Sequence, residues 1–381
     1  MEKMKQQEPD MDKLFEELID YFTRVERTTL NRVNRDLADK SELLQKVAVY
    51  LLNRKVPHDM IDDMICKFHD YVFGYHILEP LINDDSISDI KVMRYDNVRA
   101  KKKGDRIDSG VKFKTEADLQ RFAEYVAIKN KVSISDNNAL PNFTDKLSNP
   151  KFILRFNMST PYVNSVDNFY IQIRKVSKEK RGMDYLVSEG MLDEKTVEYL
   201  VDKAENANGI LFTGKGASGK TTLMNELLEH IPLNKSGEVI QENEELFTTK
   251  HPEITFHHIV RNCGEGKIQY TLEDLARMGL MFDLDYFIIG EIKGGEAIHF
   301  LNAAYTGHKC WASVHGVSST EAIDKLADYA LHASNYSKPE LMKMLRTMEV
   351  VVFMEDFKVK EISEVVGFDE ATQGLIYKRI L

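Results

Sequence analysis

The sequence lacks the features that mark several large classes of protein. No apolar run in its 381 residues approaches the roughly 20 residues that a membrane-spanning helix requires. The start, from Met1 to Glu8, is too polar for a secretory signal. There is no internal repeat, no low-complexity tract and no linker rich in Gly and Ser. We therefore expect a cytoplasmic protein, which would reach a membrane only through partners or surface contacts.

Cysteine is also scarce, and the 51 lysines and arginines are outnumbered by 61 aspartates and glutamates. The three cysteines, Cys66, Cys263 and Cys310, are widely spaced and odd in number, which excludes a four-cysteine zinc module and favours reduced thiols. The formal net charge of −10 argues against a large nucleic-acid footprint, although a local basic groove stays compatible with it. The length predicts two or three domains with a sizeable core.

One glycine-rich stretch organises the rest of the chain. It fits the phosphate-loop pattern G-x-x-x-x-G-K-[ST] and reads Gly214, Lys215, Gly216, Ala217, Ser218, Gly219, Lys220, Thr221. An apolar run over 209–213 precedes it and a helical pattern follows it, which is the strand–loop–helix context that the motif requires. Backbone N–H groups of such a loop hold phosphates. Lys220 would reach the β- and γ-phosphates, and Thr221 would offer its hydroxyl to Mg²⁺. We assign this loop and Thr222 to a site for ATP and Mg²⁺.

Changes of pattern along the chain predict four segments. Residues 1–65 carry helical periodicity and predict two or three amphipathic helices, which either pack on this protein or a neighbour or form an arm that docks a partner. Residues 66–178 mix predicted strands and a helix, typical of a small α+β domain. Residues 179–195 are interpreted as a linker. Residues 196–381 alternate strands and helices, which predicts an α/β domain with a largely parallel core sheet.

Two carboxylates follow predicted strands of the last segment. Parallel sheets bind ligands at the carboxyl ends of their strands, where Glu291 and Glu242 would lie beside the phosphate loop. A carboxylate there can hold the metal or orient the attacking water; Glu291 is the first candidate and Glu242 the second. A metal site built from His308, Cys310 and His315 is an alternative, but no fourth ligand is apparent, so phosphate-sensing or subunit-contact roles for the two histidines are favoured.

The order of these motifs resembles that of the type II/type IV secretion ATPases, most closely the Tad/Flp pilus-assembly branch. The similarity covers about residues 70–370, and its most specific block runs from Gly290 to His315. The matching segments are Gly74 to Leu81, Ser88 to Ile90, Ile173 to Val176, Asn208 to Leu223, Gln241 to Leu246, Gly290 to Ala297, Thr306 to His308 and Ser313 to Gly316.

This resemblance implies a homo-hexameric motor and roles for individual residues. Each subunit would have a RecA-like P-loop NTPase domain, preceded by a smaller α+β N-terminal domain and a helical N-terminal extension, with nucleotide between the domains. The implied roles are the acidic box for Glu242, the Walker B motif for Glu291, the histidine box for His308 and His315, and arginine fingers for Arg155, Arg174 and Arg261. An arginine delivered when domains close fits the physics of phosphoryl transfer.

Four departures from the family pattern stand out. Ala217 replaces a glycine of the loop, which removes backbone freedom. Lys293 replaces the arginine that usually follows the catalytic glutamate, and the two side chains are not equivalent in bidentate contacts. Gln241 and Asn243 occupy positions where an apolar residue and an aspartate are usual. The basic cluster before Asp285 is replaced by the sequence Met-Phe-Asp-Leu.

Together, the motifs and the resemblance predict Mg²⁺-dependent ATP hydrolysis that drives a hexameric secretion or pilus-assembly motor at the cytoplasmic face of the membrane. Its expected partners are copies of itself and an inner-membrane platform protein. Two alternatives stay open: an ATP-gated assembly or regulatory ring that hydrolyses weakly, and a conjugative DNA-transfer ATPase. No stable nucleic-acid complex is expected, given the acidic charge. A P-loop kinase is disfavoured because no acceptor-binding lid segment stands out.

Overall fold

The computed structural model describes residues 11–34, 38–102, 104–261 and 269–381 and divides the chain into two compact units after Lys178. The first unit holds both the helical segment and the α+β segment. The stretch 179–195, expected to be a linker, belongs to the second unit and is partly helical over Met183–Ser188. No helix among the described residues has both the length and the apolar character needed to span a bilayer.

Four helices open the first unit. They are α1 (Met11–Arg24), α2 (Arg27–Asn34), α3 (Lys40–Asn53) and α4 (His58–Val72). Their apolar stripes meet in one core, in which Leu18, Phe22, Leu43 and Phe68 are at most 1% exposed. The side chain of Asp39 caps α3 by accepting a hydrogen bond from the Ser41 N–H at 2.7 Å. Amphipathic helices are therefore present as predicted, but the described residues form four of them instead of two or three, and the last one continues past residue 65.

A six-stranded antiparallel sheet forms the rest of the first unit, in the order β3-β2-β1-β6-β5-β4. In chain order, the helices and strands of this part of the unit are α5 (Glu79–Asn83), β1 (Ile87–Arg94), β2 (Asn97–Lys102), β3 (Asp105–Asp108), α6 (Glu116–Lys129), β4 (Asn142–Asp145), β5 (Phe152–Ser159) and β6 (Tyr170–Ser177). Thr115 begins α6 with a capping box. Leu119, Phe122 and Val126 pack this helix on one face of the sheet, and the other face carries many polar side chains.

The second unit is built on an eight-stranded sheet in the order β16-β15-β14-β7-β13-β12-β8-β9. The six strands from β14 to β9 in that order are parallel, and β15 and β16 are antiparallel additions. The strands are β7 (Gly209–Thr213), β8 (Gly237–Gln241), β9 (Ile254–His258), β12 (Tyr286–Ile289), β13 (Lys309–Val314), β14 (Val350–Glu355), β15 (Lys358–Asp369) and β16 (Gly374–Arg379). A separate two-stranded ribbon joins β10 (Val260–Arg261) and β11 (Gln269–Tyr270).

Helices cover both faces of this sheet. They are α7 (Met183–Ser188), α8 (Glu194–Asn206), α9 (Lys220–Leu227), α10 (Leu272–Gly279), α11 (Glu296–Tyr305), α12 (Glu321–His332) and α13 (Lys338–Leu345). Helices α7 to α9 bury one face and α10 to α13 bury the other, which gives two cores separated by the sheet. The predicted fold class, a parallel α/β domain after a smaller α+β domain, is confirmed. Helices α10, α12 and α13 lie in stretches to which the sequence analysis assigned no element.

A buried carboxylate in β8 is an unusual feature of this fold. The side chain of Glu238 has no exposed surface, and burial raises its pKa to about 7. One carboxylate oxygen lies 2.9 Å from Nδ1 of His257 on the neighbouring strand β9. A Cβ added to Gly279 would stand 2.0 Å from the other oxygen, so the glycine leaves the space that the carboxylate fills.

This burial predicts a pH-dependent stability. Because the pKa of Glu238 is higher in the folded chain than its ordinary value of 4.5, stability falls as pH rises from about 4.5 to about 7 and stays reduced above that. Glu238→Gln removes the ionisation, so we expect it to raise the free energy of unfolding at pH 8 by about 1–3 kcal/mol. The gain should shrink below pH 5. Urea denaturation at both pH values measures it, with the exposed Glu253→Gln as control; an equal gain at both would contradict the assignment.

Candidate functional site

The phosphate loop connects the fully buried strand β7 to helix α9. Gly214 has φ +144°, and a Cβ there would lie 2.1 Å from the Met354 carbonyl oxygen, so no other residue fits. Gly219 has φ +99° and forms the N-cap of α9. Between them Ala217 adopts φ +62°, a left-handed conformation that a glycine reaches without strain. The loop thus has the cradle geometry that the sequence motif predicts.

The second lysine of the loop, Lys220, turns back onto the backbone of the loop. The Lys220 ammonium donates to the carbonyl oxygens of Gly214 at 2.8 Å and Lys215 at 2.9 Å. Burial lowers its pKa, and the charge of Glu291 opposes that shift. Ser218 Oγ is buried with no hydrogen-bond partner among the described residues. A polyphosphate would satisfy such a donor, so the loop fits ATP.

Two carboxylates leave the sheet beside this loop. Strands β8 and β12 are parallel neighbours with Ile240 opposite Ile289, so Glu242 and Glu291 emerge at the same edge. The Lys293 ammonium joins them, 2.6 Å from Glu242 Oε2 and 3.1 Å from Glu291 Oε2. Although burial opposes it, contact with these two carboxylates raises the pKa of Lys293.

A histidine completes the cluster. His315 follows strand β13, which lies between β7 and β12 in the sheet, and its Nε2 is 2.6 Å from Glu291 Oε1. A Cβ added to Gly216 would lie 3.6 Å from the His315 ring, which places the imidazole against the phosphate loop. Glu291 is thereby held from two sides, by His315 at one oxygen and by Lys293 at the other.

The donors present suit Mg²⁺ better than a transition metal. Thr221, Glu242 and Glu291 offer oxygen atoms, and Mg²⁺ is commonly held by one or two carboxylates together with substrate phosphates. No group of three or more His, Cys, Asp and Glu in the described ranges is gathered as an all-protein metal site would need. The alternative of a site from His308, Cys310 and His315 is therefore wrong: Cys310 is buried in the core, 3.9 Å from the Phe300 carbonyl oxygen.

The remaining predicted site residues lie elsewhere. His308 precedes β13 and contacts the Ala303 carbonyl oxygen, at the opposite edge of the sheet from the phosphate loop, so the structure does not bring it to the nucleotide site within one chain. Arg261 ends β10, and its side chain falls outside what the structure describes. Thr222 lies in the first turn of α9, directly after Thr221.

Arg155 and Arg174 belong to the first unit. They stand directly opposite each other on β5 and β6, and Asp89 stands opposite Arg174 on β1, so the three form one row across the sheet. Asp89 Oδ1 lies 3.1 Å from Arg174 Nε. The sequence analysis named Asp89 only as part of a motif and Lys293 only as a departure. The contact of Asp89 depends on the register of the strands, and that of Lys293 depends on the geometry of its loop. Neither can be derived from the pattern of residues along the chain.

Comparison with known proteins defines the family. A family model described as "Type II/IV secretion system protein" matches residues 74–353. The chain belongs to this family. A putative conjugal transfer protein of Mycobacterium tuberculosis is 25% identical over 239 residues, which is 62% of this chain and 67% of that protein. The type IV secretion system protein VirB11 of Brucella suis is 32% identical over 120 residues, 31% of this chain and 33% of that protein.

Solved structures share the fold. The pilus retraction motor PilT with bound ADP matches with a TM-score of 0.54 at 18% identity and covers 79% of this chain and 80% of that one. The Legionella pneumophila ATPase DotB matches with a TM-score of 0.51 at 15% identity, covering 79% and 78%. The family model over residues 74–353 confirms the secretion-family prediction and is consistent with the predicted ATPase. The matched proteins include pilus, conjugation and secretion proteins, and so support the family without selecting the Tad/Flp branch.

The strained alanine of the loop generates a prediction. Ala217→Gly should stabilise the protein by about 0.5–1 kcal/mol, because glycine adopts φ +62° without the Cβ clash and only part of the gain is offset by its greater freedom when unfolded. The thermal unfolding midpoint measures it. The control is Ala333→Gly, at an ordinary φ of −110° on the surface, which should not stabilise. Equal effects of the two changes would show that Ala217 is not strained.

Proposed function

We propose that this protein hydrolyses ATP with Mg²⁺ and converts domain movement into mechanical work in a secretion or pilus-assembly system. The observation that carries the proposal is the meeting of a phosphate loop with the Glu242–Lys293–Glu291–His315 cluster at one edge of a parallel sheet. Phosphoryl transfer to water needs phosphate binding, charge neutralisation and an oriented water, and this arrangement offers a residue for each.

The roles follow from the contacts. The loop from Gly214 to Thr221, with Thr222, would hold the phosphates, and Lys220 would turn from the loop carbonyls to the β- and γ-phosphates. Glu291, oriented by His315, would hold the attacking water and accept its proton, with Glu242 in support. Mg²⁺, when bound, would supply charge neutralisation on the phosphate oxygens from a position held by Thr221, Glu242 and Glu291.

The arginine pair of the first unit supplies the first candidates for an arginine finger. Like charges directly opposite each other in a sheet repel, and Asp89 offsets this repulsion for Arg174. The contact uses Nε of Arg174 and keeps its orientation defined. We propose Arg174 first and Arg155 second as groups that stabilise charge on the transferred phosphate. Arg261 is a third candidate, and His308 is proposed as a subunit contact.

The output of the motor is proposed from the family. Copies of this chain would assemble as a homo-hexamer at the cytoplasmic face of the membrane and act on an inner-membrane platform protein, with the Tad/Flp branch as the finer proposal. PilT, described as a pilus retraction motor, supports a mechanical role. The conjugal-transfer name of one relative favours DNA transfer as a second candidate. The strained Ala217 supports the third, a ring that binds ATP but turns it over slowly.

Phosphate release tests the activity directly. The purified chain should release phosphate from ATP in a Mg²⁺-dependent way, with activity rising cooperatively with protein concentration if a ring assembles. Lys220→Ala should abolish turnover, and Glu291→Gln should lower kcat by about 10²–10⁴ while nucleotide binding persists. ATP binding without turnover at any protein concentration would favour the weakly hydrolysing ring, and strong stimulation by DNA would favour the conjugative candidate.

The arginine assignment has its own test. Arg174→Ala should lower kcat at least about 100-fold, because a missing phosphate-contacting arginine costs that much or more. The matched control is Arg99→Ala on the same face of the sheet, where the side chain is 41% exposed against 46% for Arg174 and also pairs with an aspartate. Turnover of the control should stay within about twofold of the unchanged protein. Equal losses in both variants would reduce the role of Arg174 to general surface charge.

A further inference from the structure

One ammonium group touches both carboxylates assigned to the metal and the water. Lys293 Nζ lies 2.6 Å from Glu242 Oε2 and 3.1 Å from Glu291 Oε2, within salt-bridge distance of each. A lysine in this position is not required by the fold, since its side chain is 46% exposed and the strand ends four residues earlier at Ile289. The contact therefore reflects the electrostatics of the site.

The backbone beneath this lysine is fixed. The N–H groups of Lys293 and Gly294 donate to Glu296 Oε1 at 2.6 and 3.0 Å. Glu296 is only 6% exposed and begins helix α11, so the turn that carries Lys293 is anchored to a buried carboxylate. The backbone position of Lys293 is therefore fixed, while its four-carbon side chain is flexible. The ammonium can reach the two carboxylates and can also turn away from them.

A divalent cation at this place would need the same oxygen atoms. Glu242 and Glu291 together carry two negative charges. The positive charge of Lys293 leaves the three groups with a single net negative charge. Attraction of a doubly charged ion depends directly on that charge. An ammonium in contact with both carboxylates therefore opposes metal binding in two ways, by occupying their oxygens and by lowering their combined field.

We propose that Lys293 is an internal counter-cation that competes with Mg²⁺ for Glu242 and Glu291, so that the site takes the metal together with ATP and rejects the free ion. This inference rests on the proposed ATP·Mg²⁺ site. The phosphates of ATP supply the additional oxygen ligands and charge with which the metal displaces the ammonium. The planar guanidinium group of an arginine would form bidentate hydrogen bonds with the carboxylates. The compact ammonium of lysine lacks this geometry and is displaced from them more readily.

Metal affinity without turnover tests the competition. Mn²⁺, as a spectroscopic probe for Mg²⁺, is titrated against the full chain, and free Mn²⁺ is followed by electron paramagnetic resonance in the absence and presence of ADP. In Lys293→Met, one Mn²⁺ per chain should bind without nucleotide at least about tenfold more tightly than in the unchanged protein, as expected for the loss of one charge in contact with the site. The enhancement of Mn²⁺ binding by ADP should shrink correspondingly.

Two control variants separate this effect from general charge loss. Lys338 also bridges two carboxylates, Asp324 and Asp328, at 3.6 and 3.0 Å, and is 45% exposed, but it lies on α13 away from the site. Lys338→Met should leave Mn²⁺ affinity within about twofold of the unchanged protein, because Asp324 and Asp328 are 55% and 54% exposed, against 21% and 26% for Glu242 and Glu291, and solvent screens their charge. Lys293→Arg keeps the charge and should also retain weak Mn²⁺ binding.

The outcomes are distinct. Equal nucleotide-free Mn²⁺ affinity in Lys293→Met and the unchanged protein would overturn the inference, and Lys293→Gln serves the same test if the methionine variant does not fold. Binding of a fluorescent ADP analogue is measured on the same samples, with Lys220→Ala as reference. ADP bound by the unchanged chain but no change in Mn²⁺ affinity means that the inference alone fails. If no ADP binds to the unchanged chain, the proposed nucleotide site fails, whatever the result with Mn²⁺.

Discussion

The parallel register of four strands determines the candidate site. β7, β13, β12 and β8 are neighbours in the sheet, and each is followed directly by a segment that carries a functional group: the phosphate loop, His315, Glu291 and Glu242. These groups come from positions up to about a hundred residues apart in the chain and meet because parallel strands end at one edge. An antiparallel partner in the middle of this sheet would send one of them to the opposite edge, where His308 in fact lies.

Charge balance is the second constraint on the site. Lys220 is held by backbone carbonyl oxygens, whereas Lys293 and His315 contact the carboxylates, so these three side chains each have a partner beside the loop. Each contact is also one that a ligand can replace, since phosphates attract Lys220 and a divalent ion attracts Glu242 and Glu291. In the proposed site, the contacts that keep the carboxylates close together would therefore set the conditions under which nucleotide and metal bind.

Most of the second unit was predictable from its sequence, for identifiable reasons. Strands such as Lys309–Val314 and helices such as Glu296–Tyr305 are bounded by clear patterns of apolar residues and glycine. The phosphate loop carries its geometry in its glycines, apart from the left-handed Ala217. Helices α10, α12 and α13 were not predicted because no functional motif lies in their stretches, although α10 and α13 begin with capping boxes at Thr271 and Ser337. The acid–base contacts depend on strand order, which local periodicity does not encode.

In the first unit, too, side-chain contacts depend on strand pairing that the sequence pattern does not encode. Arg155 and Arg174 occur 19 residues apart in sequence, and only the pairing of β5 with β6 makes them neighbours. Two guanidinium groups directly across a sheet repel each other, and Asp89, from a third strand, reduces that repulsion while it orients Arg174. A sheet tolerates such a pair when an acidic neighbour or an anionic ligand offsets the charge. Asp89 provides such an acidic neighbour for Arg174 within the unit, so the orientation of this side chain depends on a contact among three strands that only their pairing brings together.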